Sequence, residues 1–181
     1  NKLRKGTMMS NRSQRDEGYN GGIQAGTTAY DEQSKKMDKM LKECADELIP
    51  NTSGFRSIKQ FSNQMKVDLV GENCFGFAPD GGSWFIGDRL VAVFEGKKQN
   101  LLGNANERWF KNASVAKSIN PDVKYITFCS GAGAKKGECL EKMSRLAKYT
   151  MGENFKFHMS PDGFTKEQVS RIMLDVLDSC K

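Results

Sequence analysis

The sequence predicts an α/β fold: a mixed sheet flanked by helices on both faces. Three observations carry this. Four segments repeat apolar residues at three- and four-residue spacing, the signature of an amphipathic helix. Short runs rich in Val, Ile, Phe and Trp, bounded by glycines, read as strands. The order α-β-β-β-α-β-α-β-α sets a three-strand meander before a βα alternation.

Taken in order, residues 1–30 stand apart as a basic, flexible N-terminal arm. They hold Lys2, Arg4, Lys5, Arg12 and Arg15 against Asp16 and Glu17, five glycines and no periodicity. Such a stretch buries too little apolar surface to offset its ordering entropy. Residues 31–181 read as one domain, in keeping with a chain of 181 residues. The first helix is expected over 31–49, with Met37, Met40, Leu41, Cys44, Ala45, Leu48 and Ile49 on one face and Pro50 as its stop. Strands are expected at 66–70, 74–79, 83–87 and 89–95, with turns at Gly81-Gly82 and Gly87-Asp88. A helix over 103–119 turns Ala105, Trp109, Ala113, Ala116 and Ile119 inward. Strand 123–129, a Gly-rich loop 131–137 and a helix over about 138–150 follow, the helix with Leu140, Met143, Leu146 and Ala147 inward. Strand 155–159 leads to a last helix over about 166–179. Its Thr165 and Gln168 form a capping box.

Composition narrows the chemistry. The one histidine, His158, excludes paired-His metal sites and disfavours a Ser-His-Asp triad. Five cysteines without C-x-x-C spacing support neither a disulfide framework nor a zinc ribbon, and suit a reducing, cytoplasmic compartment. No apolar run approaches the roughly 20 residues of a membrane span, so no membrane partner is expected. A metal would be held by oxygen donors, which suit Mg²⁺. The net charge of +6 favours nucleic acid, through counterion release, but equally suits an acidic membrane surface or plain solubility.

The chemistry concentrates in the middle of the chain. Pro79-Asp80 closes one strand-like run, and Glu95-Gly96-Lys97 ends a neighbouring one. Strand ends in a meander meet, so Asp80 and Glu95 can face one another. Glu95 and Lys97 share a strand face, and Gly96 offers a carbonyl. Two carboxylates and a carbonyl make a hard-oxygen site in which Mg²⁺ activates water and Lys97 orients it. An ordinary strand with a salt-bridged Glu and Lys gives the same pattern. Pro161-Asp162 shows how common its first half is, since no E-x-K follows it.

Beyond Lys97 the chain reads Lys98-Gln99, then Gly103-Asn104-Ala105-Asn106-Glu107-Arg108, then Lys111-Asn112. Asn104 suits a helix N-cap, and Glu107 and Arg108 sit in a first turn, where a recognition helix reads base edges. Pro79-Asp80-Gly81-Gly82, the E-x-K-x-Q and the G-N-A-x-E-R together resemble the EcoRI-type type II restriction endonucleases of the PD-(D/E)xK superfamily. The close likeness covers about 79–112. It implies a restriction-endonuclease-like mixed five-stranded sheet flanked by helices. It implies Asp80, Glu95 and Lys97 as catalytic residues, with Mg²⁺ on Asp80, Glu95 and the Gly96 carbonyl. It implies DNA contacts from Gln99, Asn104, Ala105, Glu107, Arg108, Lys111 and Asn112. The expected activity is cleavage of both strands of double-stranded DNA by a homodimer, at a palindrome containing AATT, leaving 5′ overhangs. Gly96 stands where Ala is more usual, a change expected to matter little because the carbonyl is the ligand. Five residues separate Lys97 from Gly103, where the family carries a longer insertion that helps read the outer bases, so different flanking bases are expected. A repair or junction-resolving nuclease of the same superfamily and a non-catalytic basic DNA-binding module are the alternatives.

Overall fold

A computed structural model describes residues 36–58, 78–98, 105–130 and 138–181; for 51, 58, 97–98, 105–108 and 138–140 it describes the backbone. The basic arm, the expected strands at 66–70 and 74–77, the 131–137 loop, Gln99, Gly103 and Asn104 lie outside the described residues.

The described residues form an α/β fold, a five-stranded mixed sheet with four helices. Helix α1 spans 36–48 and passes into a 3-10 turn, Ile49–Asn51, at Pro50. The strands are β1 (Phe55–Ile58), β2 (Ser83–Ile86), β3 (Arg89–Lys98), β4 (Lys124–Ser130) and β5 (Phe155–Ser160). They lie in the order β1-β2-β3-β4-β5. The first three run antiparallel; β3, β4 and β5 run parallel. Helix α2 (Ala105–Ile119) crosses from β3 to β4, and α3 (Glu138–Met151) from β4 to β5. Helix α4 (Lys166–Asp178) follows β5.

The handedness rule explains the layering. Successive crossovers that step the same way along a sheet put their helices on the same face. Helices α2 and α3 accordingly share a core with Phe85, Leu90, Val93, Tyr125 and Phe155. The other face is left to α1 and α4, which pack on Trp84, Ala92, Phe94, Ile126 and Phe128. A register shift between Trp84 and Phe85 interrupts the alternation, so that Leu90 and Ala92 face opposite layers. The capping box of α4 forms as the sequence predicts: Gln168 donates its amide to Thr165 Oγ1, and Thr165 its amide to Gln168 Oε1.

Four expectations are corrected. Strand β1 was not expected, because four residues with two polar side chains carry little strand signal. Residues 78 and 79 are not strand, and Pro79 enters a turn instead. Strand β3 does not end at Glu95 but continues to Lys98, held extended by its parallel pairing as far as Lys98 opposite Ser130. Leu146 is 49% exposed, since the buried stripe of α3 runs through Met143 and Ala147 to Met151. No helix among the described residues is long and apolar enough to cross a membrane.

Candidate active site

The Pro79–Gly82 turn is bolted to β3. Gly81 donates its amide to the Phe94 carbonyl at 2.9 Å, and Phe94 donates to Gly82 at 3.2 Å. The buried Trp84 indole donates to the Gly81 carbonyl at 3.0 Å. A Cβ on Gly81 would come within 2.6 Å of Phe94 Cβ, so the turn can lie this close only with glycine there.

The turn delivers Asp80 to the middle of the E-x-K segment. Gly96 donates its amide to Asp80 Oδ2 at 3.2 Å. Within a strand, the N–H and C=O of one residue face the same neighbour. Phe94 and Gly96 therefore both present their backbone groups to the turn, and the Gly96 carbonyl opens beside Asp80. The glycine at 96 is not a neutral replacement for alanine. A Cβ would lie 2.9 Å from Leu41 Cδ1 and 3.2 Å from both Asp80 Oδ2 and Met37 Cγ, because α1 packs directly on this strand.

Glu95 faces the other layer. The Tyr125 phenol, fully buried in β4, donates a hydrogen bond to Glu95 Oε2. Burial, and then the negative charge of Glu95, push the phenol well above its ordinary pKa, so the oxygen keeps its proton and acts as donor. Asp80 thus comes from the turn and Glu95 from the strand to which that turn is hydrogen-bonded, and the charges of both act on the Tyr125 phenol, Glu95 the more strongly.

Helix α1 adds two residues that the motifs do not mark. Asp38 hydrogen-bonds Asp80, and Lys42, one turn on, acts on both. Burial and then the Asp38 charge push Asp80 up to about 6, against the pull of the Gly96 amide and of Lys42. Burial also raises Asp38. Both carboxyls are therefore harder to ionise than ordinary aspartates.

Lys97 follows two residues after Glu95, its backbone paired with Cys129. Ala105, Glu107 and Arg108 form the first turn of α2; their side chains, like that of Lys97, are outside the described residues. Lys111 lies exposed on α2, and Asn112 is half-buried. Next to Arg108, Trp109 fixes the helix on the sheet: it is buried, donates to Thr127 Oγ1 at 2.7 Å and packs edge-on against Tyr125.

The donors fit a hard cation in kind. Asp80, Glu95 and the Gly96 carbonyl are all oxygen donors, as Mg²⁺ requires. Among the described residues no three His, Cys, Asp or Glu side chains form a metal-holding group, so the set depends on that backbone oxygen and on water. A groove of about 300 Å³ lies elsewhere, on the α4 face, lined by Lys124, Lys156, His158, Ile172 and Val176. No family model, curated protein or solved structure matches the chain.

Proposed function

We propose that this chain is a Mg²⁺-dependent type II restriction endonuclease with a restriction-endonuclease-like fold. It works in the cytoplasm as a homodimer on double-stranded DNA, cutting a short palindrome that contains AATT and leaving 5′ overhangs with 5′-phosphates. One observation carries the reading: the Asp80 carboxylate accepts the Gly96 amide, joining the P-D turn to the E-x-K strand at the rim of a mixed sheet. The resemblance of residues 79–112 to EcoRI-type enzymes supports the finer statement.

Each residue has a defined task. Asp80, Glu95 and the Gly96 carbonyl would hold the cation, which when bound supplies a Lewis acid and a more acidic water. Lys97 orients that water or takes its proton. The water oxygen bonds to phosphorus while the P–O3′ bond breaks, and the departing O3′ takes a proton from solvent water, leaving a 3′-hydroxyl and a 5′-phosphate. Asn104, Ala105, Glu107 and Arg108 read bases from the start of α2, Gln99 from the segment before it, and Lys111 and Asn112 face phosphates. A twofold palindrome calls for two copies, one per strand.

One observation favours a second reading. Asp80 is paired with a second acid, Asp38, and no three acidic, His or Cys side chains among the described residues hold a metal. A non-catalytic DNA-binding module would keep such a pair for structure. Digestion of plasmid DNA with Mg²⁺ separates the readings. Discrete fragments whose sequenced ends carry 5′-AATT are expected. Random nicking points instead to a repair nuclease, and sequence-specific binding without cutting to the module.

A further inference from the structure

We propose that the buried hydrogen bond between Trp109 and Thr127 positions the base-reading start of α2 against the strands that carry Glu95, and so sets how strictly cleavage follows the base sequence; this rests on the nuclease reading above. Trp109 directly follows Arg108, the last base reader in the first turn of α2. Thr127 lies opposite Glu95 in the parallel β3–β4 ladder. Trp109 Nε1 donates to Thr127 Oγ1 at 2.7 Å, and both residues are fully buried. One bond thus connects the neighbour of a base reader with the neighbour of a metal ligand. Trp109 and Thr127 are positioning residues, acting through the groups beside them.

What else holds α2 gives this bond its leverage. Behind Trp109 the helix buries Ala113 and Ala116, whose small side chains give contact without direction. A hydrogen bond, by contrast, fixes both distance and angle. The far end of the helix is held separately. Asn120 Nδ2 donates to the Leu90 carbonyl at 2.7 Å, and Lys117 Nζ to the Met151 carbonyl at 3.0 Å. About 16 Å of helix separates Trp109 from Asn120. With that end fixed, a tilt of about 4° moves the first turn by about 1 Å, and a misplacement of that size can cost about a hundredfold in rate. Tyr125 and Phe157 pack on the indole whether or not its N–H is bonded, so the Thr127 hydroxyl supplies direction rather than bulk. A pair that only stabilised the core would change melting without changing which sites are cut.

The test changes Thr127 in the full chain. Thr127→Val keeps the volume and removes the acceptor, leaving a buried indole N–H unpaired, whereas Thr127→Ser keeps the hydroxyl. Cleavage in Mg²⁺ is followed well below the melting temperature of each chain. The substrates are a duplex carrying the site mapped from digested plasmid ends and duplexes with one AATT base pair changed. For Thr127→Val the ratio of kcat on the mapped site to kcat on the changed sites is expected to fall on the order of tenfold, with KM on the mapped site within about twofold of wild type. Thr127→Ser is expected to keep the wild-type ratio. A ratio in Thr127→Val within about twofold of wild type overturns the inference, as does an equal fall in Thr127→Ser. Should Thr127→Val not fold, the wild-type indole is read by NMR with DNA in Ca²⁺. Hydrogen exchange at Trp109 Nε1 is expected to slow on the order of tenfold more with the mapped duplex than with a scrambled one, and equal exchange overturns the inference. Thr127→Ser assigns the signal, since it shifts one of the two indole resonances. A wild-type chain that cuts no DNA overturns the nuclease reading and this inference with it. One that cuts, while Thr127→Val keeps the wild-type ratio, overturns this inference alone.

Discussion

On the α2–α3 face of the sheet Glu95 meets a hydroxyl; on the α1 face Asp80 meets a second acid. The first carboxylate is oriented by a donor set in an aromatic layer of Trp109, Tyr125 and Phe155. The second is gripped by a backbone amide and crowded by Asp38. Both sit within one short stretch of turn and strand, yet one is held by its packing and the other by a balance of charges. Rigid packing is broken by removing volume, and a balance of charges by changing pH, so the two faces call for different perturbations.

Removing the two carboxylate donors or Lys97 should have the largest effect. Asp80→Ala, Glu95→Gln and Lys97→Ala are each expected to lower cleavage on the order of a thousandfold, the several kcal/mol that metal-assisted water activation supplies. Gel shifts in Ca²⁺ should show DNA binding largely kept, since phosphate contacts carry most affinity. Near wild-type cutting by Lys97→Ala would sink the catalytic assignment. On the aromatic face, Trp109→Ala should cost about 3–5 kcal/mol in urea unfolding, as for other buried aromatics, and loosen α2 from the sheet. A loss no larger than that of an exposed residue would show that this face is not what fixes the helix.

On the α1 face, Gly96→Ala should cost about 1–3 kcal/mol by forcing Leu41 or Asp80 aside. An unchanged melting temperature and cleavage rate would mean that α1 yields freely. The smallest effect is electrostatic. Asp80 titrates at about 6 in the folded chain against an ordinary 3.8, so between those values the native state binds more protons than the unfolded one. Without metal, stability should therefore fall as pH rises through that window. Asp38→Asn removes the neighbouring charge and should flatten the fall, read as melting temperature against pH in EDTA. A slope as steep as wild type would show that burial alone raises Asp80.

The sequence reveals this site unevenly, for physical reasons. Asp80 and Glu95 are legible because turn chemistry and strand alternation act over a few residues, and P-D-G-G and E-x-K carry both. The packing of α2 is legible too, since Trp109, Ala113 and Ala116 fall on one face and are buried. Asp38 is not. It lies 42 residues before Asp80, among other charged residues of α1, and only the packing of Met37 and Leu41 on Gly96 brings it to the site. Tyr125 reads as one more strand residue in K-Y-I-T-F-C, and its partner is set by the β3–β4 register, which no local pattern encodes. The need for glycine at 96 is hidden for the same reason: what it accommodates is a helix from another part of the chain.

The layer that seats Asp80 is built from both ends of the described fold. Met37, Leu41 and Leu48 of α1 share one cluster with Val169, Met173 and Leu177 of α4. On the ribosome, α1 emerges early and finds its companion missing until nearly all the rest of the domain has been made. Contacts of such long range form slowly. The support beneath Asp80 is thus completed well after Asp80 itself has been made, and a growing chain gains its full acidic site only after α4 has been released to pack.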